Sequence, residues 1–171
     1  MNEKKITVFT DGSFSPNEGN CHGGGLYILP TKEVKPFAVM TTLHDWTKMR
    51  NIGGEILAAF IAIRSIADIC KSEPNTLHYV KFIYDYEGVE KWVTQEWRAK
   101  NKFTKWYSNV MRSLIFSPDY RLVVEWEHTY GHTGNTGNEL ADRIASFDMQ
   151  FCKSNNIEVI NLDEFLEGSV K

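Results

Sequence analysis

Four acidic residues stand where strands or helices would bring their side chains together: Asp11, Glu55, Asp85 and Asp142. Asp11 follows a β-branched and aromatic run, and Asp85 ends a second such run. Open α/β sheets usually form their sites at the carboxyl ends of strands, so these two side chains are predicted to lie close together. Two carboxylates about 4 Å apart repel by roughly 4 kcal/mol at an effective dielectric near 20. A cluster of four therefore implies bound metal cations.

The other two acids lie in segments with helical spacing. Glu55 falls in the run 51–63, where apolar residues recur at helical intervals, and Asp142 follows a glycine-rich loop. An asparagine precedes each acid by four residues, Asn51 before Glu55 and Asn138 before Asp142. Because residues four apart share one face of a helix, each asparagine is predicted to lie beside its acid.

Further patterns predict the elements that must position these acids. We expect strands and helices over the following segments: strands 4–10, 24–29, 37–42, 79–85 and 121–128, and helices 53–70, 89–97, 102–115 and 138–151. An antiparallel meander followed by strands that alternate with helices is typical of an α/β fold with a mixed sheet. The prediction is a five-stranded sheet, three strands antiparallel and then two parallel, flanked by helices on both faces.

Taken together and in order, these motifs resemble type 1 ribonuclease H. The resemblance covers about residues 6–155 and depends on four motifs: Asp11-Gly12-Ser13 on a strand, Asn51 four residues before Glu55, Asp85 at a strand end, and Gly131-His132-x-Gly134 leading to Asn138-Glu139-x-x-Asp142. It implies the ribonuclease H-like fold. It also implies a metal-dependent endonuclease that cuts the RNA strand of RNA/DNA hybrids and leaves 5′-phosphate and 3′-hydroxyl ends.

The resemblance also implies roles for the acids. Asp11 would bridge two metal ions, Asp142 would complete the ion on the nucleophile side, and Glu55 with Asp85 would hold the ion at the leaving group. Oxygen-only ligands select hard cations, so we expect two Mg²⁺ ions, with Mn²⁺ as a substitute. His132 would assist product release or proton transfer.

Several polar residues around the acids are predicted to bind the substrate. Glu55, helped by backbone amides near Gly12 and Ser13, is the candidate acceptor for the ribose 2′-hydroxyl, the group that distinguishes RNA from DNA. The resemblance implies that Asn51 contacts the minor groove of the hybrid and that Asn138 and Glu139 flank the site. A helix cap is the alternative for Asn51. His128 matches no position of the family pattern and is predicted to be structural.

Basic and aromatic residues are concentrated between Lys91 and Arg112. We expect five of them to bind the DNA strand: Trp92, Trp97, Lys100, Lys102 and Lys105. Such a segment can neutralise phosphates while its rings pack against sugars. The alternative is that the tryptophans belong to the core and the lysines form a solvated face, and both interpretations can hold for different residues.

Length and composition set the outer limits. A chain of 171 residues with 42% hydrophobic residues suits one domain, predicted as a catalytic domain over 1–155. Residues 156–171 are predicted to form a short helix that packs on the domain or frays from it. With no apolar signal segment or membrane span in the sequence, we expect a soluble cytoplasmic monomer whose partner is the RNA/DNA hybrid.

Two alternative functions remain open at this point. One is a nuclease of the same fold that cuts DNA, as resolvases and integrases do. The other is a non-catalytic module that binds the hybrid, although such a module would be expected to have lost at least one of the four acids. The net charge of −3 argues against indiscriminate binding to nucleic acid.

Overall fold

A computed structural model describes residues 2–130 and 136–169. Its strands and helices, in chain order, are β1 (Asn2–Ser15), β2 (Asn20–Ile28), β3 (Val34–Thr41), α1 (His44–Thr47), α2 (Arg50–Ser72), β4 (Thr76–Tyr84), α3 (Gly88–Thr94), α4 (Lys102–Ile115), β5 (Arg121–His128), α5 (Thr136–Ala145), α6 (Met149–Ser154), β6 (Val159–Asn161) and α7 (Asp163–Ser169).

The strands form one mixed sheet in the order β5-β4-β1-β2-β3-β6. β1, β2 and β3 pair antiparallel, whereas β4 pairs parallel with both β1 and β5. Helices cover both faces of the sheet, so the predicted α/β fold class is confirmed. The predicted strand count was wrong by one, because the described residues contain a sixth strand, β6, which pairs parallel with β3.

The additional strand belongs to the segment predicted as a C-terminal extension. Residues 159–161 pair with residues 38–40, and three residues are too few to give an alternating strand pattern in the sequence. In the helix that follows, the Asp163 carboxylate accepts hydrogen bonds from the Thr41 hydroxyl at 2.7 Å and the Thr42 amide at 2.8 Å. Leu166 is buried in the main core. These contacts fix β6 and α7 to the edge of the sheet.

Two helices contact the sheet through adjacent glycines of β2. A Cβ atom at Gly23 would lie 2.4 Å from the Gly54 carbonyl oxygen of α2, and one at Gly24 would lie 2.6 Å from the Ala145 amide nitrogen of α5. Successive strand residues face opposite sides of a sheet. α2 and α5 therefore approach the same point of β2 from opposite faces.

The region after α5 differs from the sequence prediction. A single helix was expected over 138–151, but the structure has α5 and α6 with a break at residues 146–148. Phe147 adopts a φ of 57°, in the left-handed region that ends a right-handed helix. The Asp148 carboxylate then accepts a hydrogen bond from the Phe151 amide at 2.9 Å and caps the start of α6.

Across residues 2–130 and 136–169, none of the helices has both the length and the apolar character needed to span a bilayer.

Candidate active site

The sheet brings Asp11 and Asp85 to the same edge. β1 and β4 are parallel neighbours, and their register ends at the pair Phe9 and Ile83. Two residues further along each chain lie Asp11, still within β1, and Asp85, immediately after β4. Both acids line one cleft of about 190 Å³. The strand-end pattern had predicted this proximity.

The two helical acids line the same cleft. Glu55 lies in the second turn of α2 and Asp142 lies in α5, on the opposite face of the sheet. Residues from four further positions that were predicted to bind substrate also line it: Gly12, Asn51, Asn138 and Glu139. The fold therefore gathers all four acids and both asparagines around a single opening. Ser13 lies next to Gly12 on β1.

Burial distinguishes Glu55 from the other acids. Only 3% of the residue is exposed, and its Oε2 atom has no hydrogen-bond partner among the described residues. Its position follows from close packing of α2 on β1, since a Cβ atom at Gly12 would lie 2.3 Å from the Glu55 amide nitrogen. Burial of a carboxylate oxygen without a partner is costly. A ligand that binds this oxygen would remove the cost.

The electrostatics of the cleft follow from this crowding. Burial, and then the nearby Asp11 carboxylate, raise the pKa of Glu55 well above its ordinary value. Burial also raises the pKa of Asp11 to about 6, although hydrogen bonds from Glu55 and from the Gly12 amide oppose the change. That amide lies 2.8 Å from Asp11 Oδ1. Without a cation, the pair favours a protonated Glu55 beside an ionised Asp11.

The donor chemistry of the cleft fits a hard cation. Its acids offer only oxygen atoms, one of them buried without a partner, and a bound cation would reverse the rise in the pKa values of Asp11 and Glu55. Within the part of the chain that the structure describes, no three His, Cys, Asp or Glu side chains are arranged closely enough to hold an ion as they stand. The backbone nevertheless brings the four acids to one cleft.

Two threonines also line the cleft and were missed by sequence reasoning. Thr10 precedes the first acid, and its buried hydroxyl has no partner among the described residues. Thr129 follows β5. Neither residue belongs to a motif, although a threonine next to a strand-end acid could have signalled the first. His132 lies outside the described residues.

Asn51 is the second residue of α2 and is exposed at the cleft. The cap position is Met49, and no side chain forms a cap hydrogen bond there. The alternative of a helix cap is therefore wrong for Asn51, whose amide is available to a ligand in the cleft.

The α3–α4 segment, residues 88–115, contains the residues predicted to bind the DNA strand. None of the described residues lining the cleft belongs to it. Trp92 and Trp97 are half-buried and pack edge to face at 5.8 Å. Lys100, Lys102 and Lys105 are all exposed, and Lys102 also pairs with Asp45 at 3.1 Å.

Other aromatic residues of the segment belong to the core. Trp106 is 8% exposed and packs edge to face against Trp46 and Phe60. Tyr107 is fully buried and donates a hydrogen bond to the Val89 carbonyl at 2.7 Å. The α4 rings thus belong to the core and the lysines lie on the surface, as the alternative interpretation expects, while DNA binding by Trp92, Trp97 and the lysines stays a prediction.

Comparisons with known proteins agree with this geometry. The family model RNase H matches residues 3–150. The chain is 28% identical over 149 residues to ribonuclease H of Orientia tsutsugamushi, covering 85% of this chain and 82% of that protein. It is 27% identical over 147 residues to ribonuclease HI of Vibrio parahaemolyticus, covering 83% and 88%.

A solved structure shows the same fold. The RNase H1 of the halophilic archaeon Halobacterium salinarum superposes with a TM-score of 0.63 at 17% identity, covering 86% of this chain and 98% of that one. Because the family model spans most of the chain and the acids meet at one cleft, the chain belongs to the ribonuclease H family.

Proposed function

We propose that this ribonuclease H hydrolyses the RNA strand of RNA/DNA hybrids by a mechanism that uses two metal ions, leaving 5′-phosphate and 3′-hydroxyl ends. The observation that carries the proposal is the single cleft lined by Asp11, Glu55, Asp85 and Asp142, in which one Glu55 oxygen is buried without a partner among the described residues. Membership of the family supports the substrate class.

The four acids are the proposed ligands of two Mg²⁺ ions, for which Mn²⁺ would substitute. Asp11 would contribute to both ions, Asp142 to one, and Glu55 with Asp85 to the other. When bound there, the ions would lower the pKa of the attacking water and neutralise charge on the leaving oxygen. The raised pKa values of Asp11 and Glu55 support the assignment, because they result from burial and crowding of carboxylates whose ionised forms a bound cation would stabilise.

Residues of the chain supply orientation and selectivity. The Gly12 amide donates to Asp11 Oδ1 and fixes that carboxylate. With one oxygen on a cation, the Glu55 carboxylate would accept through its other oxygen a hydrogen bond from a ribose 2′-hydroxyl, which DNA lacks. Asn51, Asn138 and Glu139 line the same cleft, where they would hold the nucleotides beside the scissile phosphate. His132 is proposed to assist proton transfer or product release.

The α3–α4 segment is proposed to bind the DNA strand. Trp97, Arg98 and Lys105 line a surface groove separate from the cleft, which supports contact with sugars and phosphates. The half-buried Trp92 supports the ring of Trp97, and Lys100 and Lys102 add positive charge.

We also propose a catalytic domain over 1–155, an extension over 156–171, and a cytoplasmic monomer, on the basis of the sequence.

The test is cleavage of end-labelled RNA/DNA hybrid, duplex RNA and duplex DNA, assayed in parallel with Mg²⁺, Mn²⁺ or a chelator. We expect metal-dependent cutting of the RNA strand of the hybrid only. Asp11→Asn should abolish it while the circular dichroism spectrum stays unchanged. Cutting of DNA would instead support a DNA nuclease of the same fold, and binding of the hybrid without cleavage would support a binding module. Full activity of Asp11→Asn would contradict the metal-site assignment.

A further inference from the structure

The ends of β4 and β5 are joined by two consecutive contacts at the cleft. The last residue pair of these parallel strands is Tyr84 with His128. One residue further, the Thr129 amide donates to the Tyr84 carbonyl at 2.8 Å. The backbone pairing between the strands thus reaches the residue immediately before Asp85.

The second contact is made by a side chain. His128 Nε2 lies 2.6 Å from the backbone carbonyl oxygen of Asp85. A carbonyl can only accept a hydrogen bond, so Nε2 must bear the proton. The His128 side chain thereby extends the connection from β5 by one residue, from Tyr84 to the backbone of Asp85.

The imidazole of His128 contacts two aromatic rings. Its centroid lies 5.5 Å from that of Tyr84 and 4.7 Å from that of Tyr130, which packs edge-on. These contacts restrict the rotation of the ring and keep Nε2 directed at the carbonyl. The donor is therefore pre-organised.

Asp85 lies at the joint between a strand and a helix. β4 ends at Tyr84 and α3 begins at Gly88, so Asp85 belongs to the short connection between them. Beyond Asp85, the Val89 amide donates to the Tyr86 carbonyl at 3.0 Å and starts the turn into α3. A change in the backbone at Asp85 would turn its carboxylate relative to Asp11 and Glu55.

We infer that His128 is a positioning residue, which fixes the backbone of Asp85 through the Nε2 hydrogen bond and so orients the third acid of the cleft. This inference rests on the proposed function, since orientation of Asp85 matters for catalysis only if that acid acts in the reaction. Loss of a residue that orients a metal ligand typically lowers metal affinity or activity by roughly tenfold to a hundredfold.

Three variants separate the hydrogen bond from the packing of the ring. His128→Phe keeps an aromatic ring between the tyrosines and removes the donor. His128→Gln places an amide nitrogen near the position of Nε2, whereas the shorter His128→Asn places it near Nδ1, out of reach of the carbonyl. Glutamine and asparagine have the same chemistry, so the asparagine variant is the matched control for reach.

The first measurement is hybrid cleavage, with kcat and KM determined separately over a range of Mg²⁺ concentrations. We expect His128→Phe and His128→Asn to lower kcat by roughly tenfold or more and to raise the Mg²⁺ concentration for half-maximal rate, with KM for the hybrid little changed. His128→Gln should recover most of kcat. A loss common to all three variants, with a matching fall in the urea midpoint, would mean a purely structural role and would overturn the inference.

The second measurement needs neither metal nor activity. Amide hydrogen exchange of the metal-free protein should be faster at residues 85–88 in His128→Phe and His128→Asn than in the wild type and His128→Gln, with exchange in α2 unchanged. Equal exchange in all four proteins would overturn the inference. If the wild type failed to cut the hybrid, the proposed function would fall, and the exchange comparison would still decide whether His128 holds the backbone of Asp85.

Discussion

The acidic cleft and the α3–α4 segment are both rich in charge but differ in how the charge is compensated. In the cleft, four carboxylic acids converge, and the Glu55 Oε2 atom is buried without a partner among the described residues. In the segment, Lys102 pairs with Asp45, Lys91 pairs with Glu87 at 3.3 Å, and other lysines face solvent. A ligand is therefore needed to satisfy the buried oxygen of the cleft, whereas the charges of the segment are paired or solvated without one.

This difference separates two kinds of functional surface. Uncompensated buried charge marks a place where a ligand must supply the missing interactions, and pKa values respond strongly there. Solvated charge beside packed aromatic rings costs little and gives weak, salt-dependent attraction. Substitutions in the two regions should therefore affect different observables.

The largest effect is expected for loss of the buried acid. Glu55→Gln keeps the shape of the side chain but cannot supply a carboxylate to a cation, so cleavage of the hybrid should fall by about a thousandfold or more, equivalent to several kcal/mol of transition-state stabilisation. The measurement is kcat/KM at saturating Mg²⁺. Glu167→Gln, an exposed acid on α7, is the control. Near-normal cleavage by Glu55→Gln would remove the main distinction between the two regions.

The next effect concerns the core rings of the α3–α4 segment. Trp106→Ala removes a ring that packs against Trp46 and Phe60, and it should lower the free energy of unfolding by about 3–5 kcal/mol. Trp97→Ala removes a half-buried ring and should cost less stability while weakening hybrid binding more. Urea unfolding and binding titrations of both variants measure the contrast. Similar stability losses would show that the two rings are not divided between core and surface.

The third effect is the pH dependence of stability in the metal-free protein. Asp11 has a pKa raised from 3.8 to about 6, so the native state binds more protons than the unfolded chain between those values. Stability is therefore lost as pH rises through that window, and the raised pKa of Glu55 extends the loss to higher pH. Asp11→Asn should gain stability over the wild type by on the order of 2 kcal/mol between pH 4 and pH 7.

Urea unfolding in the presence of a chelator, at both pH values, tests that gain. Asp119→Asn alters an exposed acid in the turn before β5 and serves as the reference. A difference between Asp11→Asn and the wild type that stayed constant with pH would show that burial in the cleft does not perturb Asp11.

The smallest effect is expected for the solvated lysines. Charge reversal of Lys100, Lys102 and Lys105 to Glu should weaken hybrid binding by about tenfold at moderate salt. It should also flatten the slope of log affinity against log salt, by roughly 0.9 for each phosphate that the protein no longer neutralises. Reversal of Lys5, Lys71 and Lys153, which are also exposed, changes net charge equally and is the control. Equal weakening by both sets would show that the segment acts only through total charge.

The fold was largely predictable because its signals are local. The strand run before Asp11 and the helical spacing around Glu55 can be read from a dozen residues each, and the predicted bounds of α4 and β5 agree with the structure. The sixth strand could not be predicted, since its three residues pair with a strand far earlier in the chain. The break between α5 and α6 was also hidden, because Phe147 adopts a left-handed φ without a glycine or proline to signal it.

The residues that line the cleft could be predicted in part. Motif positions identified the acids and asparagines that line it, and their roles in catalysis and metal binding stay predictions. The burial of Glu55 and the unpartnered hydroxyl of Thr10 depend on how closely α2 packs on β1, which no local pattern encodes. The contact between His128 of β5 and Asp85, which follows β4, links residues 43 apart in the chain. No local pattern signals such a contact, so His128 was predicted to be merely structural.

The paired glycines of β2 set the distance between two walls of the cleft. Gly23 and Gly24 make β2 a thin point of the sheet, with α2 seated on one side and α5 on the other. α2 bears Glu55 and α5 bears Asp142. Only the backbone of β2 separates the two helices at this point, and it therefore sets the distance between the two acids. The absence of side chains at these two positions therefore sets the width of the cleft. A methyl group at Gly23 would displace α2, and one at Gly24 would displace α5.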